Sequence, residues 1–378
     1  MVEVCERPSG VAALVQRGEI STPALTIDLD TLERNLERMA VYCREHGLGL
    51  RPHTKTHKTP EVARMQLERG ACGLTVAKVG EAEVMASATN AEILVAYPIF
   101  GGEKLRRLAA LAKTRPILLA LDDEATAREV SRAARAQESA LGVLVEFDVG
   151  LGRCGLEPGA ACVELATKIL EMPGLKFRGL MLYAGNIWGS EAERQRITTQ
   201  VAERVHRVLQ AFAEARIPVE IVSGGSTPGA FLSHQIAGLT EVRPGTYVYN
   251  DLNTYYQGVC KLEDCSARVV VTVVSTAVAG RAIIDAGSKA LSSDLLSSGP
   301  REGYGYVIEA PEAKLIKLNE EHGYLDITGA NHQFRVGEIL TVIPNHVCTC
   351  VNMHDEVSTL RNGEVVGSWR VAARGKIR

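Results

Sequence analysis

The 378-residue chain is too long for one small module, and 46% hydrophobic with 23% charged residues place it among ordinary globular proteins and exclude a disordered one. A formal net charge of -3 and only 5% aromatic residues exclude the basic footprint and stacking platforms of a nucleic-acid binder. Nine cysteines, an odd number scattered over a long chain, fit a reducing cytoplasm, and no secretory leader or apolar run of about 18 residues points to export or a membrane.

In chain order, residues 1–21 carry early acids and are a candidate addition to the β domain of residues 251–378. The run ALTIDL follows, left over for pairing elsewhere, and then a helical stretch that Asp30 is placed to cap. From Arg51 to about Tyr247, short β-branched or apolar runs alternate with amphipathic segments, the pattern of parallel β/α units. Eight strands are expected: Leu48 to Lys55, Leu74 to Ala77, Ile93 to Tyr97, Ile117 to Leu121, Val143 to Asp148, Gly179 to Tyr183, Glu220 to Ser223, and a short one at Val242. The fold class is therefore α/β, a (β/α)8 TIM-type barrel over residues 22–250. After Asp251 the texture changes to short strands between Gly, Asn and Asp turns, so residues 251–378 read as a mostly β domain.

A barrel gathers its chemistry at the C-terminal ends of its strands, and polar or Gly-rich segments recur there. The first strand ends RPHTKTHK, with His53, Lys55 and His57 on one face if it stays extended. The fifth leads to Arg153 in GLGRCG, and the sixth ends at Tyr183. The loops after strands seven and eight, where barrels often bind phosphate, carry Ser223, Gly224, Gly225, Ser226 and Thr227, and then Gly245 and Thr246. Glycines that merely turn the chain and a solvated strand-end lysine are the bland alternatives. A phosphate cradle combined with an inward amine points instead to pyridoxal phosphate held by Lys55 as a Schiff base. Arg153 is then a candidate for the phenolic oxygen, Tyr183 for the ring, and Arg243 for the pyridine nitrogen, with a structural role as its alternative.

The segments RPHTKTHK, GLGRCG, SGGSTPG, RPGTY, DAGSKALSSD, NEEHG and PNHVCTC, in this order from about Thr22 to the C-terminus, resemble the D-threonine aldolase and D-serine dehydratase family of the alanine racemase-like fold. The resemblance implies that Lys55 is the Schiff-base lysine, that Arg153 and Tyr183 contact the cofactor, and that SGGST with Gly245 and Thr246 binds its phosphate. It also implies a divalent metal beside the cofactor, a homodimer, and a small D-3-hydroxy amino acid as substrate.

The metal has its own signal in HVCTC, where His346 and Cys348 point the same way from a strand, with Cys350 on that face as a candidate third ligand. Imidazole with thiolate favours zinc and leaves manganese or cobalt open. A packed strand of core cysteines is the alternative. His322, in NEEHG, lines the site by resemblance or is a turn histidine, and Cys5, Cys43, Cys72 and Cys162 are assigned to packing. Two departures bear on the reaction: Cys348 stands where some aldolases of the family carry Asp, and Gly189 stands where some carry a histidine. The expected activity is retro-aldol cleavage of D-threonine-like substrates to glycine and an aldehyde. The alternatives are dehydration of D-serine or D-3-hydroxyaspartate, an amino-acid racemase, and a non-catalytic pyridoxal phosphate carrier.

Overall fold

The structure is a computed structural model that describes residues 10–297, 299 and 302–378. Cys5 lies outside the described residues. The chain divides into two compact units: residues up to Asn35 with Thr246–Arg374, and Leu36–Gly245 with Gly375–Arg378.

The first strand, β1 (Ala24–Asp28), pairs antiparallel with β10 (Ala267–Val278) and parallel with β16 (Glu356–Arg361). Residues 24–28, included in the 22–250 expectation for the barrel, thus belong to the other sheet. The helix Leu29–Glu45 follows directly. Its cap is Asp28, which accepts from Thr31 N–H at 2.7 Å, and not Asp30, whose carboxylate takes Arg361 and the Asn362 amide.

The barrel unit contains β2 (Gly49–Leu50), β3 (Leu74–Val76), β4 (Ile93–Val95), β5 (Ile117–Leu121), β6 (Leu141–Glu146), β7 (Leu175–Met181), β8 (Ile221–Gly224) and β9 (Glu241–Val242). All neighbours are parallel, in the order β2-β9-β8-β7-β6-β5-β4-β3. The parallel bridge of His53 to Thr75, with Cys72 N–H donating to Leu50 C=O at 2.8 Å, joins the two ends and closes the ring. Strands in such a ring are covered on both faces, which is why β5 reads ILLAL with every residue buried. Leu94, Leu118, Ala120, Leu144, Met181 and Ile221 form one of its apolar clusters. The longest barrel helix, Glu191–Glu214, starts at a reciprocal cap in which Ser190 Oγ accepts from Glu193 N–H and the Glu193 carboxylate accepts from Ser190 N–H.

The expected first strand runs too far. Backbone bonding on the β9 side continues past Leu50 only to His53, whose N–H donates to Pro244 C=O at 3.0 Å, and residues 54–57 form a turn, so His53, Lys55 and His57 do not share one strand face. His57 is fully buried and its Nδ1 meets the Thr59 backbone. Lys58, with φ +53°, anchors the end of this turn by an ion pair to buried Glu81 at 3.3 Å. Glu81 also takes the amides of Ala77 and Lys78 at the start of the next helix.

In the other unit, β10, β11 (Arg281–Ile284), β12 (Gly305–Val307), β13 (Lys314–Leu318), β14 (Gly323–Asp326) and β15 (Ile339–Pro344) pair antiparallel in a closed ring. Outside it, β1, β16 and β17 (Glu364–Arg370) extend from β10. His322 sits exposed in the β13–β14 hairpin. Among the cysteines assigned to packing, Cys43 and Cys162 are buried, whereas Cys72 is exposed with its thiol 3.7 Å from Glu241. Among the described residues no helix is long and apolar enough to cross a membrane.

Candidate active site

The barrel unit holds a cavity of about 310 Å³ whose lining includes His53, Lys55, Tyr97, Glu146, Arg153, Tyr183 and Arg243. Each of these residues lies at or just past the C-terminal end of a strand, where parallel strands stop pairing and side chains turn to the barrel mouth. Of the expected residues, the cavity brings together Lys55, Arg153, Tyr183 and Arg243. The Arg153 guanidinium lies over the Tyr183 ring at 4.5 Å, and Lys55 Nζ is 6.0 Å from the same ring. Among the described residues Lys55 forms no ion pair, which leaves its amine available to a ligand.

Arg243 is held rigidly. Its guanidinium donates to Ser223 Oγ at 2.6 Å and to Leu182 C=O at 2.7 Å, and burial pulls its pKa down to about 10, still charged at neutral pH. Ser223 in turn donates to Glu241 at 2.5 Å, and Glu241 accepts from Arg51. The Ser223 hydroxyl is thereby committed to this buried chain and is not free for a phosphate, unlike the sequence expectation. Next to Lys55, His53 is a neutral imidazole: burial first, then the charges of Lys55 and Arg243, hold it well below the usual histidine range.

The two loops expected to hold phosphate lie apart from the cavity lining but meet each other. Gly245 N–H donates to Thr227 Oγ1 at 3.2 Å, and Ser226 Oγ donates to Ala184 C=O. Gly225 takes φ +80°, a conformation that favours glycine, and turns the chain after β8. Among the described residues nothing takes the N–H groups of Ser226 and Thr227. A Cβ on Gly245 would come within 2.9 Å of Thr56 Oγ1 and 3.1 Å of His53 C=O, so this cradle abuts the turn that carries Lys55. An amine in a cavity with an aromatic wall and two guanidiniums, beside unclaimed backbone amides, fits pyridoxal phosphate.

The segment HVCTC is not a strand. Val347–Val351 forms one helical turn with His346 at its extended cap position, and the Val347 amide is fixed by Asp251 at 3.0 Å. The His346 imidazole and the Cys348 thiol still converge within hydrogen-bonding reach, because the cap residue turns back over the first turn. Cys350 points elsewhere: its thiol donates to Ala290 C=O at 3.2 Å and burial pushes it up to about 12, so it is not a third ligand. His346 Nδ1 meets Asp294 at 2.8 Å, and Thr349 Oγ1 donates to the same carboxylate oxygen. Burial opposes the charged imidazole, but Cys348, Asp251 and Asp294 outweigh it and push the group up to about 10, so a metal taken up at this ring would have to displace a proton. Thr246 Oγ1 lies 3.8 Å from Cys348 Sγ. Among the described residues no group of three or more His, Cys, Asp or Glu gathers for a metal, so the pair supplies two donors, one borderline and one soft.

Residues 27–253 match the alanine racemase N-terminal domain and residues 266–360 a putative serine dehydratase domain. D-threonine aldolase of Arthrobacter sp. is 32% identical over 361 residues, covering 94% of this chain and 93% of that protein. The chain belongs to the D-threonine aldolase and D-serine dehydratase family. Another relative, D-threo-3-hydroxyaspartate dehydratase of Delftia sp., is 33% identical over 369 residues, covering 93% of this chain and 97% of the relative. The crystal structure of D-threonine aldolase from Filomicrobium marinum superposes with a TM-score of 0.88 at 31% identity, over 98% of this chain and 100% of that one. The family thus accounts for both the barrel and the β unit of this chain. It contains aldolases and dehydratases at nearly equal identity, so family membership leaves the bond that breaks to be argued from the residues.

Two residues of the site escaped the sequence reading. Asp294 closes the segment DAGSKALSSD, but its partner His346 is 52 positions away and no local spacing announces the pair. Glu146 was legible only as an acid ending the otherwise apolar run LGVLVE.

Proposed function

We propose that this chain is a lyase of D-3-hydroxy amino acids that uses pyridoxal phosphate and a divalent metal, and that it cleaves the Cα–Cβ bond of D-threonine-like substrates to glycine and an aldehyde. The observation that carries the reading is the meeting of Lys55, Arg153, Tyr183 and Arg243 in one cavity. Bound there, pyridoxal phosphate supplies an electron sink for the charge left at Cα.

Lys55 would hold the cofactor covalently and, once displaced by the substrate amine, is the group positioned to move a proton at Cα. Arg153 and Tyr183 would hold the ring from one side, and Arg243, fixed by Ser223 and Leu182, would meet its nitrogen. The amides of Ser226 and Thr227, with Gly245, would hold the phosphate. His53 stays neutral beside Lys55 and so does not compete with it for a proton source at neutral pH. His346 and Cys348 would hold the metal, with Asp294 orienting the imidazole through Nδ1. Such an ion supplies Lewis acidity toward a hydroxyl oxygen. Imidazole with thiolate favours zinc over manganese.

Dehydration is the second reading, and Cys348 is what favours it. The relative D-threo-3-hydroxyaspartate dehydratase has been solved as a cysteine variant in the metal-free form, and Gly189 here offers no side chain to act as a base. Incubation of the loaded enzyme with D-threonine decides between the two. Glycine with acetaldehyde supports cleavage, whereas 2-oxobutanoate with ammonia and no glycine overturns it in favour of dehydration.

A further inference from the structure

Among the described residues Glu146 is the one acid lining the cavity. It ends β6 and is 3% exposed. The carboxylates around it are already spent: Asp148 takes the amides of Gly150, Leu151 and Gly152, Asp122 takes Gly155 N–H, and Glu241 takes Arg51 and Ser223. Among the described residues the Glu146 carboxyl accepts no hydrogen bond.

A carboxyl that faces the cavity without a protein partner loses its water when a ligand fills that cavity, so a partner is expected from the ligand. The groups facing it are the guanidiniums of Arg243 and Arg153, the carboxylates of Asp122 and Asp148, and the Cys154 thiol, with Lys55, His53 and Tyr183 across the cavity. Burial pushes the carboxyl up to about 7; the two arginines pull against this and the two carboxylates add to it.

We propose, building on the cofactor reading, that Glu146 is a further cofactor-contacting residue whose carboxyl hydrogen-bonds the polar edge of bound pyridoxal phosphate and shares a proton with it. The proton moves between a carboxyl oxygen and a polar atom of the ring, and no bond between heavy atoms forms or breaks. The ionisation of the bound ring then follows Glu146, and Arg153 and Arg243 supply fixed positive charge on either course.

The test is the absorbance of the loaded protein, titrated from about pH 5 to about pH 9 to span the carboxyl and its ring partner. Wild type, E146Q and E146D are compared, with circular dichroism to check folding. Wild type is expected to show a one-proton spectral transition in the neutral range, E146Q to lose it, and E146D to keep it at a displaced midpoint. A transition in E146Q at the wild-type midpoint, or none in wild type, overturns the proposal. If E146Q does not fold, an unchanged midpoint in E146D overturns it equally. Wild type that takes up no pyridoxal phosphate fails differently: there is then no bound spectrum to titrate, and the cofactor reading falls with this proposal.

Discussion

The imidazole of His346 is tied through Nδ1 to the carboxylate of Asp294 at 2.8 Å, and that carboxylate is itself held by the Thr349 hydroxyl. A ring fixed at Nδ1 would present Nε2 to the proposed metal, and the carboxylate would raise the basicity of that nitrogen. D294N is therefore expected to weaken divalent-metal affinity by about 10- to 100-fold, with C348A losing more because it removes a proposed ligand. Calorimetric titration of zinc into metal-stripped protein checks this. Equal affinity in D294N and wild type would show the carboxylate to be incidental.

Lys55 is the lysine expected to carry the cofactor. Borohydride reduction of the loaded protein and peptide mapping should place the pyridoxyl group on Lys55, and K55A should bind the cofactor only non-covalently, with no label after reduction. A label on Lys58 instead would contradict the site, since that side chain is engaged with buried Glu81.

Much of this was legible from local pattern. The eight barrel strands announce themselves because buried parallel strands are short apolar runs, as in ILLAL at Ile117–Leu121. Two segments misled for one physical reason: alternation signals a strand only where a partner strand pairs with it. RPHTKTHK alternates, yet its backbone bonds to neighbouring strands end at Thr54 and the rest turns under the constraint of Lys58 and Glu81. HVCTC is β-branched and alternating, yet Asp251 fixes its first amide and a helical turn forms. The roles of Asp294 and Ser223 depend on partners distant in sequence, and no residue spacing encodes them.

The cradle beside Lys55 depends on Gly245 having no side chain. In G245A the new methyl would stand 2.9 Å from Thr56 Oγ1 and 3.1 Å from His53 C=O, forcing the loop and the lysine turn apart. An overpacking cost of about 1–3 kcal/mol falls on the cofactor-bound geometry, so affinity for pyridoxal phosphate should drop by roughly tenfold or more. Equilibrium dialysis measures it. Retained affinity with a normal melting temperature would remove Gly245 from the phosphate site.

The stability of the cofactor-free protein should also report on Glu146. Its carboxyl is raised from 4.5 in the unfolded chain to about 7 in the folded one, chiefly by burial. Between those values the folded state binds a proton that the unfolded state has released, so stability falls as pH rises. Below the unfolded value both states are protonated and the penalty is absent. Above the folded value it is complete, at most about 3 kcal/mol. E146Q carries no ionisable group there, so its urea-denaturation profile should lack this decline and exceed wild type above neutral pH. Parallel profiles for the two proteins across this range would show that the buried carboxyl finds compensation in the folded state and exerts no such cost.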